Sequence, residues 1–475
     1  MLDHERVRDD ASPADPCAPR DLPVAPRTRR TFLREAAGFG TLALSSSFLT
    51  ACGLGGDSGG EALTSTVARA QARGEVVIWD RTGDLYRVFD ALIPSFNAKY
   101  PDVKVRHVAV DIATRLPPTL ASGAGLPDGA FLDDVQVPGQ ALHLTDVGKL
   151  LSPYTDRIVR YKVDVNTVEG RIVGIPWDLD PGLLYYREDL LDRAGVDPAG
   201  IASYDDLTEA AHTLRARLGN DVRPLHLERD PFLGQLWVEM LANQQGTSMA
   251  DADGRLQLES EPYQRIMQWI KTIVDEGLGT HANYLQPTDV QTLDNGRQIL
   301  VPWAMWWIFA PQSLLRRTSG RWRAQELPAW TSGGARSGVM GGGSFIIPAK
   351  ARSPELAWLW YEHLLFDAQG YRTVYGPSPT YPRGLNTSVP SYLPALDGPP
   401  LFEPVAALGD QDIWKTDVAA AKQVPGNYSI PSWWAEAVRY FGANIQQLMD
   451  GRMEPDEVLA VSTEQIQKNL VDRRR

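Results

Sequence analysis

From Gly74 onward, short β-branched apolar runs alternate with segments of helical period, and this alternation restricts the fold more than any other feature of the chain. Val76, Val77, Ile78 and Trp79 read as a buried parallel strand. Val88, Phe89, Leu92, Ile93 and Phe96 then recur at three- and four-residue spacing, which predicts a helix bent at Pro94 and ended by Pro101 before a strand at 103–105. Ser203 with Asp206 reads as a capping box, opening a helix whose Leu207, Ala210, Ala211 and Leu214 share a face and whose stop is Gly219. Another helix opens at Ser353-Pro354, and further strands are expected at 130–132, 172–175, 183–186, 299–301 and 344–347. The class is α/β with more than one domain, because single cores rarely grow past ~250–300 residues.

The N-terminal stretch has the layout of an export signal. Arg29 and Arg30 precede Phe32-Leu33 and a weakly apolar run of Ala, Gly, Leu and Ser that ends at Leu49-Thr50-Ala51-Cys52. This resembles a twin-arginine lipoprotein signal at 1–51, which implies that Cys52 is lipidated and tethers the protein to the outer face of the cytoplasmic membrane. Residues 52–73, glycine-rich at 53–60, are expected to form a flexible linker. The two cysteines, Cys17 and Cys52, would leave the mature body without a disulfide, so it must be stabilised by burial.

The formal charge of -12 excludes the basic footprint that nucleic acid requires. The seven histidines contain no pair at metal-ligand spacing, and no Gly-Lys-Ser/Thr follows the glycine clusters, so neither a metal, a nucleotide nor another cofactor is expected.

Several passages carry a family resemblance, in order along the chain. They are the segment 91–105, Leu126-Pro127-Asp128 before Phe131-Leu132-Asp133-Asp134, and above all 174–190, with Pro176-Trp177-Asp178-Leu179-Asp180-Pro181-Gly182 at its centre. Val301-Pro302-Trp303-Ala304-Met305-Trp306-Trp307, Gly341-Gly342-Gly343-Ser344 and Pro382-Arg383 follow. Together they resemble the family 1 extracellular solute-binding proteins, the sugar-capturing receptors of ABC importers. The resemblance implies a type II periplasmic-binding-protein-like fold: two α/β lobes joined by a hinge, with the ligand in the interlobe cleft. Lobe one would comprise 74–180 and 328–368, and lobe two 181–327 and 369–475. It further implies a monomer that binds without catalysis and hands its cargo to separate permease subunits and their ATPase.

A sugar offers hydroxyl groups at its edge and C–H groups on its face, so its receptor needs carboxylates at the rim and flat aromatics beneath. Ligands of α/β sheets sit at strand ends, which selects Asp80, Asp133, Asp134, Asp178 and Asp180 as hydroxyl acceptors. Trp177, Trp237, Trp303 and Trp306 are the stacking candidates, with Trp303 leading, although a Trp is more often core. Gly342 and Gly343 would let backbone approach the ligand, and Arg383 would supply a forked donor. Cargoes such as polyamines or glycerol phosphodiesters stay open, as does a secreted glycoside hydrolase using two of the acids.

Overall fold

The structure is a computed structural model that describes residues 62–81, 84–251, 253–377, 388–396, 403–426 and 428–474. The expected signal segment, Cys52 and Arg383 lie outside these residues. The strands that build the lobes are β1 (Gly74–Arg81), β2 (Val103–Val110), β3 (Gly129–Asp133), β4 (Ile175–Pro176), β5 (Asp178–Leu179), β6 (Gly182–Arg187), β7 (Leu225–Glu228), β8 (Gly279–Ala282), β9 (Leu300–Ala304), β10 (Trp322–Glu326), β11 (Gly343–Ile346) and β12 (Val389–Pro390).

Ten of them form two five-stranded sheets. The first has the order β2-β1-β3-β11-β4, parallel through β2, β1 and β3, with β11 antiparallel to both its neighbours. The second has the order β8-β7-β9-β6-β10, parallel through β8, β7 and β9 and antiparallel across β6. Each carries its own core. Ile78, Phe89, Phe96, Trp177, Phe345 and Trp360 belong to one, and Leu184, Trp237, Ile270, Val301 and Trp303 to the other.

Local signals explain the helices that flank the sheets. The Tyr204–Leu218 helix has its capping box, with Ser203 Oγ accepting from Asp206 N–H at 3.1 Å and the Asp206 carboxylate accepting from Ser203 N–H at 2.8 Å. The helix expected across Pro94 is broken rather than bent, into Asp84–Asp90 and Ile93–Lys99. Pro94 has no N–H to give to Asp90 and its ring collides with that carbonyl, so it takes the first turn of a new helix instead.

The chain passes from the first sheet to the second through 177–182 and returns through 338–343. These two crossings are hydrogen-bonded to each other, Gly182 N–H to the Gly338 carbonyl at 2.6 Å and Met340 N–H to the Asp180 carbonyl at 3.1 Å. A β5–β12 ribbon lies beside them.

The segment expected to open the second part of lobe two packs on both sides: Tyr371, Val374, Tyr375, Tyr392 and Ala395 lie in the first core, while Val389 and the chain from Val405 lie in the second. The Pro354–Leu365 and Ala368–Tyr375 helices both bury residues in the first core. The linker also stops short of residue 73. Leu63 and Val67 lie against the first core, and Leu63 N–H donates to the Asp146 carbonyl at 2.9 Å.

One buried ion pair ties the first lobe to the crossing. Lys162, fully buried in the Arg160–Val165 helix, donates to Asp134 at the end of β3 and, at 3.1 Å, to the Gly343 carbonyl. Lys162→Met leaves Asp134 buried without its counter-ion, so it should destabilise the fold by about 3–5 kcal/mol. Urea unfolding of the two proteins measures the difference.

Candidate functional site

A cavity of about 660 Å³ opens where the two crossings meet the sheets. Its apolar wall is largely aromatic, with Phe131, Phe232, Leu236, Tyr284, Trp306 and Phe309. Its polar floor is made of Arg81, Asp133, Asp178, Asp180, Ser388 and the backbone of Gly341–Gly343.

Strand ends deliver the floor, as parallel topology requires. Arg81 closes β1 and Asp133 closes β3, and the Arg81 guanidinium lies 5.3 Å from the centre of the Phe131 ring. The 3-10 turn Met305–Ile308 that follows β9 carries Trp306, whose Nε1 donates to the Met340 carbonyl at 3.0 Å and so fixes the ring against the returning crossing.

Buried Glu228 fastens two parts of the wall at once. Its Oε2 accepts from Tyr284 N–H at 2.9 Å, and its Oε1 accepts from Asp230 N–H at 2.7 Å. Asp230 in turn caps the Pro231–Asn243 helix, accepting from the N–H groups of Phe232 and Leu233 at 2.9 Å each. Phe232 and Leu233 are thereby presented to the cavity from a fixed helix start.

Beneath the floor lies a cluster of charge. Asp178 Oδ1 accepts from Gly343 N–H and its Oδ2 from the Ser388 hydroxyl, both at 2.9 Å, and Lys162 Nζ stands 3.9 Å from Oδ1. Asp134 Oδ1 accepts from Ser344 Oγ at 2.6 Å. Asp180 is 3% exposed, and its Oδ2 accepts from no donor among the described residues. Gly342 covers the group in a left-handed conformation, φ 103°, and a Cβ there would stand 2.7 Å from Asp134 Oδ2, 2.8 Å from Asp180 Oδ2 and 2.9 Å from Lys162 Nζ. Only glycine fits.

Burial dominates the protonation of these acids. It raises Asp133 to about 6, with Arg81 opposing and Asp134 and Asp178 adding to the rise. Burial also raises Asp178, against Lys162 and the Gly343 N–H, and it raises Asp180 well above the carboxylate range, assisted by the neighbouring Asp178. Lys162 is driven down by burial, yet Asp134, Asp178 and Asp180 together hold it above its ordinary value.

Of the residues selected from sequence, Asp133, Asp178, Asp180, Trp306, Gly342 and Gly343 are brought together around the cavity. The others are placed elsewhere. Asp80 is buried against His107, Oδ2 to Nε2 at 3.5 Å, and Asp134 lies under the floor in its ion pair with Lys162. Trp177 is core, stacked on Tyr375 at 5.3 Å and edge-on to Phe89 at 4.8 Å. Trp237 is core as well, with Nε1 donating to the Pro302 carbonyl at 2.9 Å.

Trp303, the leading aromatic, is fully buried behind the wall. It stacks at 5.1 Å on Tyr284, which takes the cavity-facing position in its place. Sequence reading missed Tyr284, Glu228 and Lys162. Tyr284 sits in a polar loop, and Lys162 in the run Tyr161-Lys162-Val163-Asp164 looks like a solvated helix face.

The raised Asp133 makes stability fall with pH. The folded protein keeps a proton that the unfolded chain releases, so the contribution is complete below the ordinary carboxyl value of 3.8 and is lost as pH rises through about 6. Asp133→Asn should keep the low-pH stability and flatten this part of the slope, as thermal unfolding across that window will register.

The comparisons with known proteins agree with this architecture. The model of the bacterial extracellular solute-binding proteins matches residues 79–371. A lactose-binding protein of Rhizobium radiobacter is 26% identical over 422 residues, 85% of this chain and 94% of the relative. An arabinooligosaccharide-binding protein of Halalkalibacterium halodurans is 26% identical over 302 residues, 60% of this chain, and the match spans only 65% of that relative's length. Among solved structures, the sugar-binding protein MalE of Xanthomonas citri superposes with a TM-score of 0.70 at 19% identity, covering 84% of this chain and 98% of its own. At that identity the likeness speaks for the two-lobe fold. With the family model matching well over half of the sequence, the chain belongs to the bacterial extracellular solute-binding proteins.

Proposed function

We propose that this protein captures a small saccharide between its lobes and presents it to the permease of an ABC importer. One observation carries the reading: an aromatic wall faces a floor of carboxylates across a cavity of about 660 Å³. That is the chemistry of a ring with an apolar face and a hydroxylated edge, and Trp306 and Tyr284 are the platforms. The relatives' names, lactose-binding and arabinooligosaccharide-binding, lie in the same ligand class.

Binding without turnover is favoured over hydrolysis by the match to a family of binding proteins. A phosphodiester is also disfavoured, since Lys162 is committed to Asp134 and Arg81 stands among acids. The ligand would bridge the lobes, populate a closed form and thereby signal the permease and its ATPase. The twin-arginine and lipoprotein features of the sequence support export and anchoring through Cys52, and among the described residues no helix is long and apolar enough to cross a membrane.

Thermal unfolding of the domain after Cys52 against a panel of mono- and oligosaccharides tests the proposal. A ligand at a hundred times its dissociation constant adds ~2.7 kcal/mol, and no shift with any saccharide would refute the reading. The two tryptophans should separate. Trp306→Ala is expected to abolish the shift while leaving the unliganded protein nearly as stable. Trp303→Ala opens a core cavity and should cost about 3–5 kcal/mol before any ligand is added.

A further inference from the structure

The floor of the cavity and the cluster beneath it bring together more carboxyl groups than hydroxyl recognition needs. Among the described residues Asp133, Asp134, Asp178 and Asp180 meet two cations, Arg81 and Lys162, and Lys162 is spent on Asp134 and the Gly343 carbonyl. Asp178 is already satisfied by Gly343 N–H and Ser388, whereas Asp180, a buried floor residue, has only the neighbouring Asp178 carboxyl as a side-chain hydrogen-bond partner, and its Oδ2 accepts from no donor among the described residues. Leaving a buried carboxylate oxygen unpaired is costly, and the cost disappears if the missing partner arrives with the ligand.

We infer that the ligand is a saccharide bearing a protonated amino group, seated at the Asp180 carboxylate with Asp178 and Asp133 beside it. The inference rests on the saccharide reading of the cavity and narrows it. An ammonium offers N–H donors and a charge that balances the excess acid, which a hydroxyl cannot do. The adjoining Trp306 and Tyr284 faces also attract a cation.

Protonation gives the inference a signature of its own. Without a cation, burial and the neighbouring Asp178 and Asp134 raise Asp180, against Lys162, so that it keeps a proton. Tyr161 Oη accepts from the Asp180 backbone N–H at 3.0 Å, and Tyr375 is packed close enough to feel the same carboxylate. Seating an ammonium favours the ionised carboxylate, so the proton leaves on binding and affinity rises with pH until the amine itself loses its charge.

The experiment is titration calorimetry of the domain after Cys52 with matched sugars: glucosamine and its β-1,4 disaccharide, their N-acetylated forms, and glucose and cellobiose, with galactose-series equivalents and spermidine alongside. Each is run in two buffers of different ionisation enthalpy. The expected result is a preference of about tenfold or more for the amine over both neutral counterparts, the scale of one charge-assisted hydrogen bond, with proton release on binding. Asp180→Asn should abolish both the preference and the release, and the wild-type comparison stands even if that variant folds poorly. Neutral sugars binding as well as the amines would overturn the inference and leave the saccharide reading intact. Binding of spermidine alone, or of nothing in the panel, would overturn both.

Discussion

The buried contact between Lys162 and Asp134 is the interaction on which the rest of the site depends. A carboxylate at the end of β3, another at Asp178 and a third at Asp180 converge within one water-poor region, and without a cation among them they could not all stay there. Lys162 Nζ supplies that cation and also hydrogen-bonds the Gly343 carbonyl, so it fixes the glycine turn in place over the acids. The turn must then pass directly above three polar atoms, which is why position 342 has no side chain and a left-handed φ. An interior ion pair of this kind contributes little net stability compared with apolar packing. What it secures here is arrangement: the ends of β3 and β11 and the crossing at 178 are held to one geometry.

The aromatic side of the cavity is organised by a second buried acid. Glu228 joins the Tyr284 backbone to the cap of the helix that carries Phe232, and Trp303 fills the space behind Tyr284, edge-on to His226 at 5.1 Å. Tyr284, Trp303 and Trp306 therefore act as a packed unit in which two rings face the ligand space and the third is their backing. The Trp303 register explains its role: it lies within β9, the central strand of its sheet, opposite Leu183 of β6, where a side chain has neighbours on every side. Trp306 comes three residues later, after the strand has ended, where the turn swings the ring to the rim.

How much of this could be read from the chain follows from how local each determinant is. The capping box at Ser203, the strand at Gly182–Arg187 and the glycine turn before Ser344 are written in neighbouring residues, and the structure has all three. β7, β8 and β10 carried no comparable signal. Leu225-His226-Leu227-Glu228 mixes apolar and ionisable residues, because its polar groups serve the buried Glu228 network rather than solvent. The acids selected from sequence lie at or near strand ends, but which of them face the cavity depends on tertiary contacts: Asp80 turns to His107 and Asp134 to Lys162, partners distant in sequence. Tryptophans were harder still, since a large ring is equally at home in core and rim, and only burial separates Trp177 and Trp303 from Trp306.

Asp178 links the ligand space to the chain crossings. It is part of β5, paired in register with Pro390 of β12, and it sits on the outgoing crossing. Its carboxylate accepts from Gly343 on the returning crossing and from Ser388 at the start of the β12 segment. Two other stretches of chain are thus hydrogen-bonded to one side chain that also faces the cavity. A ligand group that draws on this carboxylate competes with those bonds, and a proton gained or lost there changes their strength. The segments that join the two sheets are the same segments that Asp178 holds together, so a ligand bound as proposed would act on the connections between the lobes rather than on either core.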